Sequence, residues 1–271
     1  MKKILLLFGL FVFITSCEKL NNSDNGDYAK YLSDNSISTD INFYPREIYE
    51  NSNVVDTPSL KLYFKTATSY PCINYGISIC SIFENNELIL RFDSIIKSNI
   101  CLTAIGPATA YIDLPSSAER LVLLNGNSVD KYELDITEEK VIIHPLDNAF
   151  SYLKYSTILR YPENTFVYEC NMDTSETKFY NDFLEILTDN LSIAGYNFPD
   201  EGEKPYAESY TEYNRKSLVK YFQYETEEEF NKAGELLNKF VSENNINQNT
   251  SIYISLTSWN NQKYLSWMMS N

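Results

Sequence analysis

Apolar and polar residues alternate in several short runs between residues 60 and 143, the period-two pattern of strands with one buried face. In the first run, Leu60, Leu62 and Phe64 fall on one face. Turn residues separate the runs, with Asn85-Asn86 after one and Asn125-Gly126 after another. About seven such strands at spacings near ten residues predict a β-sandwich of the immunoglobulin-like kind over residues 53–150. The Cys-Trp-Cys hallmark of antibody domains is absent, because both tryptophans lie beyond residue 250.

After residue 150 the pattern changes to strands alternating with amphipathic helices. A strand is predicted over 166–172, followed by a helix capped by Asp173 or Thr174. Thr226 and Glu229 form a capping-box pattern that predicts the start of a second helix. Strand, helix, strand, helix, strand in this order indicates an α+β domain over 151–271, and a ferredoxin-like arrangement is one option.

The first seventeen residues have the order of a secretory signal. Lys2 and Lys3 precede an apolar run from Ile4 to Ile14, and small residues follow before Cys17. The run has about eleven residues, whereas a membrane-spanning helix needs roughly 20. The tetrad Ile14-Thr15-Ser16-Cys17 resembles the lipobox of bacterial lipoproteins. The alternative is an ordinary signal peptide that carries a cysteine by chance.

This resemblance implies that residues 1–16 are removed and that Cys17 becomes the acylated first residue. Two or three acyl chains make a lasting anchor, whereas one binds only marginally. In lipoproteins an Asp after the cysteine favours retention at the inner membrane. This chain has Glu18, so the resemblance implies the outer membrane, with a periplasmic or surface-exposed body. The charged segment that follows is similar to the export tag of surface lipoproteins of gut Gram-negative anaerobes. Residues 17–52 are polar and predict a flexible tether.

The chain is strongly acidic, with a formal net charge of −15. Nucleic-acid binding depends on neutralising phosphates with Lys and Arg, so no nucleic-acid partner is predicted. The acidity also opposes contact along an anionic leaflet, so the lipid on Cys17 must make the membrane attachment. The 22 tyrosines suit half-exposed strand faces and binding surfaces alike.

Four cysteines remain besides Cys17, and the compartment beyond the inner membrane permits disulfides. Cys72 and Cys101 flank a predicted hairpin, and bridging them would close a loop of about 30 residues. Other pairings stay open, as does the alternative that the cysteines are free and buried.

The sequence contains no pattern that specifies a reaction. His144 is the only histidine, and there is no Cys-x-x-Cys pair, Gly-x-Ser-x-Gly elbow or phosphate-binding loop. We therefore predict no catalytic residue, no metal site and no cofactor.

Trp259, Tyr264 and Trp267 form the best candidate ligand platform, because flat rings stack on sugar faces. The alternative is a terminal hairpin that turns at Asn260-Asn261, with the rings partly buried. The sequence thus favours a lipid-anchored, non-catalytic binding or adhesion module for a glycan, peptide or protein ligand. A carboxylate-dependent hydrolase of glycans or peptides and a structural subunit of an envelope complex are the alternatives.

Overall fold

The computed structural model describes residues 28–51, 54–172, 177–199, 201–206, 216–246 and 251–269. The signal segment 1–16 and Cys17 lie outside the described residues. The two predicted helix caps, Asp173 and Thr174, do so as well.

Ten strands form one sheet, which we call the large sheet. Their order across it is β10-β8-β7-β6-β4-β3-β5-β2-β1-β9. The strands are β1 (Ile41–Ile48), β2 (Ser59–Tyr70), β3 (Gly76–Glu84), β4 (Glu87–Ile96), β5 (Gly106–Asp113), β6 (Arg120–Asn125), β7 (Ser128–Ile136), β8 (Lys140–Asp147), β9 (Ser151–Leu153) and β10 (Thr157–Leu159).

The large sheet curls until its two halves pack face to face. Strands β3 and β5 meet through a single residue pair, Gly76 with Thr109, so the sheet bends easily there. The ring centroids of Phe43 on β1 and Tyr132 on β7 lie 5.1 Å apart, although these strands are far apart in the sheet order. Burying large side chains from both halves in one core is the main stabilising term of such a layered fold.

The predicted β-rich architecture is confirmed at this level, since strands β2 to β8 match the seven alternating runs. One curled sheet replaces the two separate sheets that the prediction implied, and it contains three parallel pairs, β4–β6, β1–β9 and the single-residue contact β3–β5. The described part of the predicted tether, 28–51, is folded: a 3-10 turn spans Ala29–Tyr31, and β1 lies inside the sheet. The predicted boundary at 150 is also too early, because β9 and β10 belong to the large sheet.

Five antiparallel strands form a second, small sheet in the order β12-β13-β11-β14-β15. Its elements are β11 (Thr165–Met172), α1 (Lys178–Asn190), β12 (Ala194–Tyr196), β13 (Lys216–Gln223), α2 (Glu227–Glu243), β14 (Ile252–Ser258), β15 (Lys263–Leu265) and α3 (Ser266–Met269).

Helices α1 and α2 share a core with one face of the small sheet. Phe166, Tyr168 and Cys170 alternate along β11 and pack with Phe183 of α1 and Leu237 of α2. This α+β organisation matches the prediction for the carboxyl-terminal half. The predicted capping box is not formed, because Thr226 makes no side-chain cap and the Glu229 carboxylate accepts from the amide of Glu225, the residue before the N-cap, instead of from Thr226.

Candidate functional site

A cleft of about 580 Å³ opens between the large sheet and the small sheet. Ligand pockets in proteins are typically about 300–1,000 Å³ and often lie between domains. The lining comes from three separate stretches of the chain: Glu138, Glu139, Lys140 and Ile142; Thr157, Leu159, Arg160 and Pro162; and Tyr196, Asn197, Phe198, Pro199 and Glu201.

The back of the cleft is made where residues 201–206 add to the exposed edge of the large sheet. The Leu159 amide donates to the Glu203 carbonyl at 2.8 Å, and the Glu203 amide donates to the Thr157 carbonyl at 3.0 Å. Gly202 makes this approach possible. Its φ is +117°, and a Cβ there would lie 3.1 Å from the Thr157 methyl carbon. The unit that contains the small sheet, the second unit, therefore completes the edge of the large sheet, the first unit.

A buried ion pair fixes the linker between the two sheets, residues 160–164, which join β10 to β11. The carboxylate of Glu47 on β1 accepts from Arg160 Nε at 2.8 Å and from the Tyr161 amide at 2.7 Å. Arg160 also donates through Nη1 to the Thr137 carbonyl at 2.9 Å. The Glu47 side chain is only 3% exposed, so its charge depends on these donors. Because Arg160 is held in this way, its position in the cleft wall is set by the fold.

Tyrosine rings continue this contact from the large sheet into the small one. The ring centroid of Tyr161 lies 5.5 Å from that of Tyr49 and 4.9 Å from that of Tyr206. The Tyr206 ring in turn packs on Tyr221. Burial raises the pKa of Tyr161 to about 12, and burial likewise raises the pKa of Tyr49 and Tyr206. These phenols stay neutral at physiological pH and serve as hydrogen-bond donors and packing surface.

The hairpin between β14 and β15 makes a second contact between the units. The Tyr49 hydroxyl donates to the Trp259 carbonyl. Asn261 Nδ2 donates to the carbonyls of Asn51 and Val54 at 3.2 and 2.9 Å. The Asn260-Asn261 turn, the alternative interpretation of this stretch, is present and docks on the large sheet's side of the molecule. The two units are thus joined on both sides of the linker, which keeps the cleft walls in a fixed relation.

Two rings form the mouth of the cleft on the small-sheet side. Tyr196 and Phe198 lie edge to face with centroids 5.0 Å apart, and both are half-buried. Burial raises the pKa of Tyr196, and the carboxylate of Glu139, which lines the same cleft, raises it further. Exposed Glu138, Glu139 and Glu201 surround the opening. An aromatic surface bordered by carboxylates can hold the apolar face of a ring while accepting hydrogen bonds from its hydroxyls.

A shallower recess of about 410 Å³ lies on the other side of the same two rings. Gly195, Val219 and Tyr221 line it together with Lys204, whose ammonium lies 5.4 Å from the Tyr221 ring centroid. Tyr196 and Phe198 therefore line both recesses, the cleft with three carboxylates, Lys140 and Arg160 in its walls, and the shallower recess with Lys204.

The structure does not bring the three predicted platform rings together. Tyr264 points to the helical face, where a Cβ on Gly234 of α2 would lie 2.5 Å from its ring. Trp259 packs against the small-sheet core. Trp267 lies 5.9 Å from Tyr253, whose neighbour Ile254 is buried on the helical face. Strand alternation therefore puts the Tyr253–Trp267 pair on the face opposite Tyr264.

Cys72 and Cys101 are joined by a disulfide. It closes the loop between β4 and β5 onto the β2–β3 connection at one end of the large sheet. Cys170 is a buried free thiol in the small-sheet core, and burial raises its pKa to about 12. A thiol so protected is an apolar packing group.

Within the described ranges, no cluster of three or more His, Cys, Asp and Glu side chains is arranged to hold a metal ion. No helix in the described part of the chain is both long and apolar enough to cross a bilayer. The sole histidine, His144, is exposed on β8.

The cleft was not predicted from the sequence, because its walls come from stretches about 20 to 60 residues apart. The one local signal was the spacing of Tyr196 and Phe198, two aromatic residues on the same side of an extended segment bounded by Gly195 and Pro199.

We compared the chain with known protein families, with curated proteins and with solved structures, and none of them gave a significant match.

Proposed function

We propose that this chain is a lipid-anchored envelope protein whose cleft between the two sheets binds a glycan. The lipobox-like tetrad ending at Cys17 and the short apolar run before it support the anchor. The outer membrane is the proposed location, since Glu18 rather than Asp follows the cysteine. The body is a non-catalytic binding module.

The observation that carries the proposed ligand is the pair of half-buried rings, Tyr196 and Phe198, bordered by three carboxylates. Sugars present apolar C–H faces to rings and hydroxyl donors to acids. Arg160 is paired with Glu47, so the three carboxylates outnumber the remaining cation of the lining, Lys140; this excess disfavours anionic ligands, and a neutral glycan fits the cleft best. Because the recess with Lys204 adjoins the same rings, the proposed ligand is a chain of sugars that spans both recesses.

The scaffold proposal is more specific than the α+β organisation. We propose a ferredoxin-like arrangement for the second unit. The element order β11-α1-β12-β13-α2-β14 and the antiparallel strand order β12-β13-β11-β14 support it. For the first unit, the face-to-face packing of the two halves of the large sheet supports a sandwich-like scaffold related to the predicted immunoglobulin-like one.

The test is a glycan-array screen of the full chain, followed by calorimetric titration of the bound glycan with Tyr196→Ala. Truncating a central aromatic contact is expected to weaken Kd by about thirtyfold. Tyr152→Ala is the matched control, because Tyr152 is an exposed tyrosine on β9 that does not line the cleft. Equal Kd values for the two variants, or binding of peptides only, would overturn the glycan proposal.

The carboxylates at the cleft mouth also favour a second candidate, a carboxylate-dependent glycan hydrolase. Incubating the same glycans with the protein and analysing the products separates the two functions. Release of shorter sugars that is lost in Glu139→Gln or Glu201→Gln, with binding retained, would establish the hydrolase. Unchanged glycan in the presence of measurable binding establishes the binding module.

The anchor is tested separately by Cys17→Ser. Loss of the acyl mass and release of the variant from the membrane fraction are expected, while glycan binding stays intact.

A further inference from the structure

One end of the large sheet carries a group of exposed aliphatic side chains, which we call the apolar tip. It consists of Ile73, Ile96, Ile100, Leu102 and Ile105, and each is between 48 and 79% exposed. Isolated exposed apolar residues are ordinary, but a contiguous group of them marks a contact surface. Ile73 lies on the β2–β3 connection, Ile96 is the last residue of β4, and the other three lie on the β4–β5 connection.

Covalent and hydrogen bonds hold the apolar tip in place. The disulfide Cys72–Cys101 joins the two connections. Asn74 binds the β4–β5 connection through two hydrogen bonds: its Nδ2 donates to the Ile100 carbonyl at 2.6 Å, and its Oδ1 accepts from the Leu102 amide at 3.2 Å. A surface fixed in this way loses little conformational entropy when it binds.

The charges around the apolar tip differ from those of the rest of the chain. Stretches 57–83 and 94–112 contain no Asp or Glu, although the chain has 37 acidic residues among 271. Lys65 and Lys97 are the cations nearest to the tip in sequence, and Lys97 is exposed. An anionic surface therefore meets repulsion from most of this protein but not from this end.

The length of chain before the fold allows this end to meet the membrane. Tyr28, the first described residue, donates to Glu87 at the start of β4, the end of the strand away from the tip. The nine steps along β4 measure about 31 Å. Eleven residues from Cys17 to Tyr28 span at most about 36–40 Å. The anchor can therefore sit in the same surface that the tip touches.

We propose that the apolar tip inserts into the lipid surface to which Cys17 is attached, a bilayer that contains anionic phospholipid. This inference rests on the proposed lipid anchor and adds a second, protein-made contact with the membrane. The aliphatic side chains enter the acyl region, Lys97 contacts the phosphates, and the body is held in one orientation.

Fluorescence quenching with the full acylated chain tests the inference. Ile105→Trp places a reporter on the tip, and Leu146→Trp places a matched reporter at an exposed position on β8, far from the tip in sequence. Both variants are reconstituted into vesicles of phosphatidylethanolamine and phosphatidylglycerol, with and without brominated acyl chains. The wild type provides the background from Trp259 and Trp267. We expect a shift to shorter wavelength and a loss of intensity in brominated vesicles for Ile105→Trp but not for Leu146→Trp.

Adding Ile100→Glu and Leu102→Glu to the Ile105→Trp variant should abolish the quenching. These side chains are exposed, so folding is preserved, and an intact disulfide and unchanged circular dichroism verify this. Equal emission from the two reporters would overturn the inference, as would tip-mediated self-association without quenching. Flotation of the same vesicles reports the anchor independently. Protein that floats without quenching refutes the tip contact alone, and protein that neither floats nor is quenched refutes both.

Discussion

The buried pair between Glu47 and Arg160 gives the sharpest stability prediction. Arg160→Met removes the donor 2.8 Å from a carboxylate whose side chain is 3% exposed. The remaining donor is the Tyr161 amide at 2.7 Å. Breaking one partner of a buried pair costs about 3–5 kcal/mol. Because that amide persists and Arg160 is itself 24% exposed, we expect a loss near the lower bound, about 3 kcal/mol.

A double-mutant cycle isolates the interaction. Glu47→Gln is expected to cost about 1.5 kcal/mol, since the amide oxygen still accepts one bond. The double variant should lose only about 2.5 kcal/mol, because no buried charge is left unpaired. The coupling between the two sites is then about 2 kcal/mol.

Urea unfolding of the full chain, followed by circular dichroism, measures these values. Lys239→Met is the control, since its pair with Glu243 is exposed on both sides and should contribute less than about 0.5 kcal/mol. Additive losses for Glu47 and Arg160, within about 0.5 kcal/mol, would refute the proposed role of the pair.

Three further predictions concern the contact between residues 201–206 and β10, the disulfide, and the buried Tyr161. Gly202→Ala should lower the free energy of unfolding by about 1–3 kcal/mol. The control Gly195→Ala should change it little, because no atom lies within 4 Å of the added Cβ. Urea titration of both variants makes the comparison. Reduction of Cys72–Cys101, which lie 29 residues apart, should cost about 3–4 kcal/mol, and unfolding with and without reductant tests this. Burial raises the pKa of Tyr161 to about 12, above the ordinary value of about 10 for an exposed tyrosine. The contribution of Tyr161 to the free energy of unfolding is therefore complete below pH 10 and is lost between pH 10 and pH 12, at up to about 1.4 kcal/mol per pH unit. Ultraviolet titration of the phenols and unfolding at alkaline pH measure this loss, and ionisation of Tyr161 near pH 10 would contradict it.

Local patterns were sufficient for most individual elements. Alternation between Leu60 and Ile143 located strands β2 to β8, and the Thr226–Glu229 pattern located the start of α2. Strand β1 falls within the predicted tether because polar residues surround it. Its short alternation, with Ile41 and Phe43 buried, gains its place in the sheet from pairing with β2.

Pairing between distant strands was beyond local patterns. The parallel contact of β4 with β6 and that of β1 with β9 join segments that no turn links directly. This is why two separate sheets were predicted where one curled sheet exists. The cleft has the same origin, since Glu139, Thr157 and Phe198 meet only after both units fold. The flat rings of Trp259, Tyr264 and Trp267 are close in sequence and predict a platform, but packing distributes them over both faces of the small sheet.

Closure of the β10 edge by residues 201–206 constrains how this chain can be synthesised and folded. Until Glu203 has been synthesised, the large sheet has an open backbone edge that could pair with any neighbouring strand. A fragment ending at residue 160 would retain that edge permanently. Chaperone binding to the unfinished chain should therefore persist until the later segment is synthesised, and truncation at the sheet boundary should produce aggregates instead of a separable module.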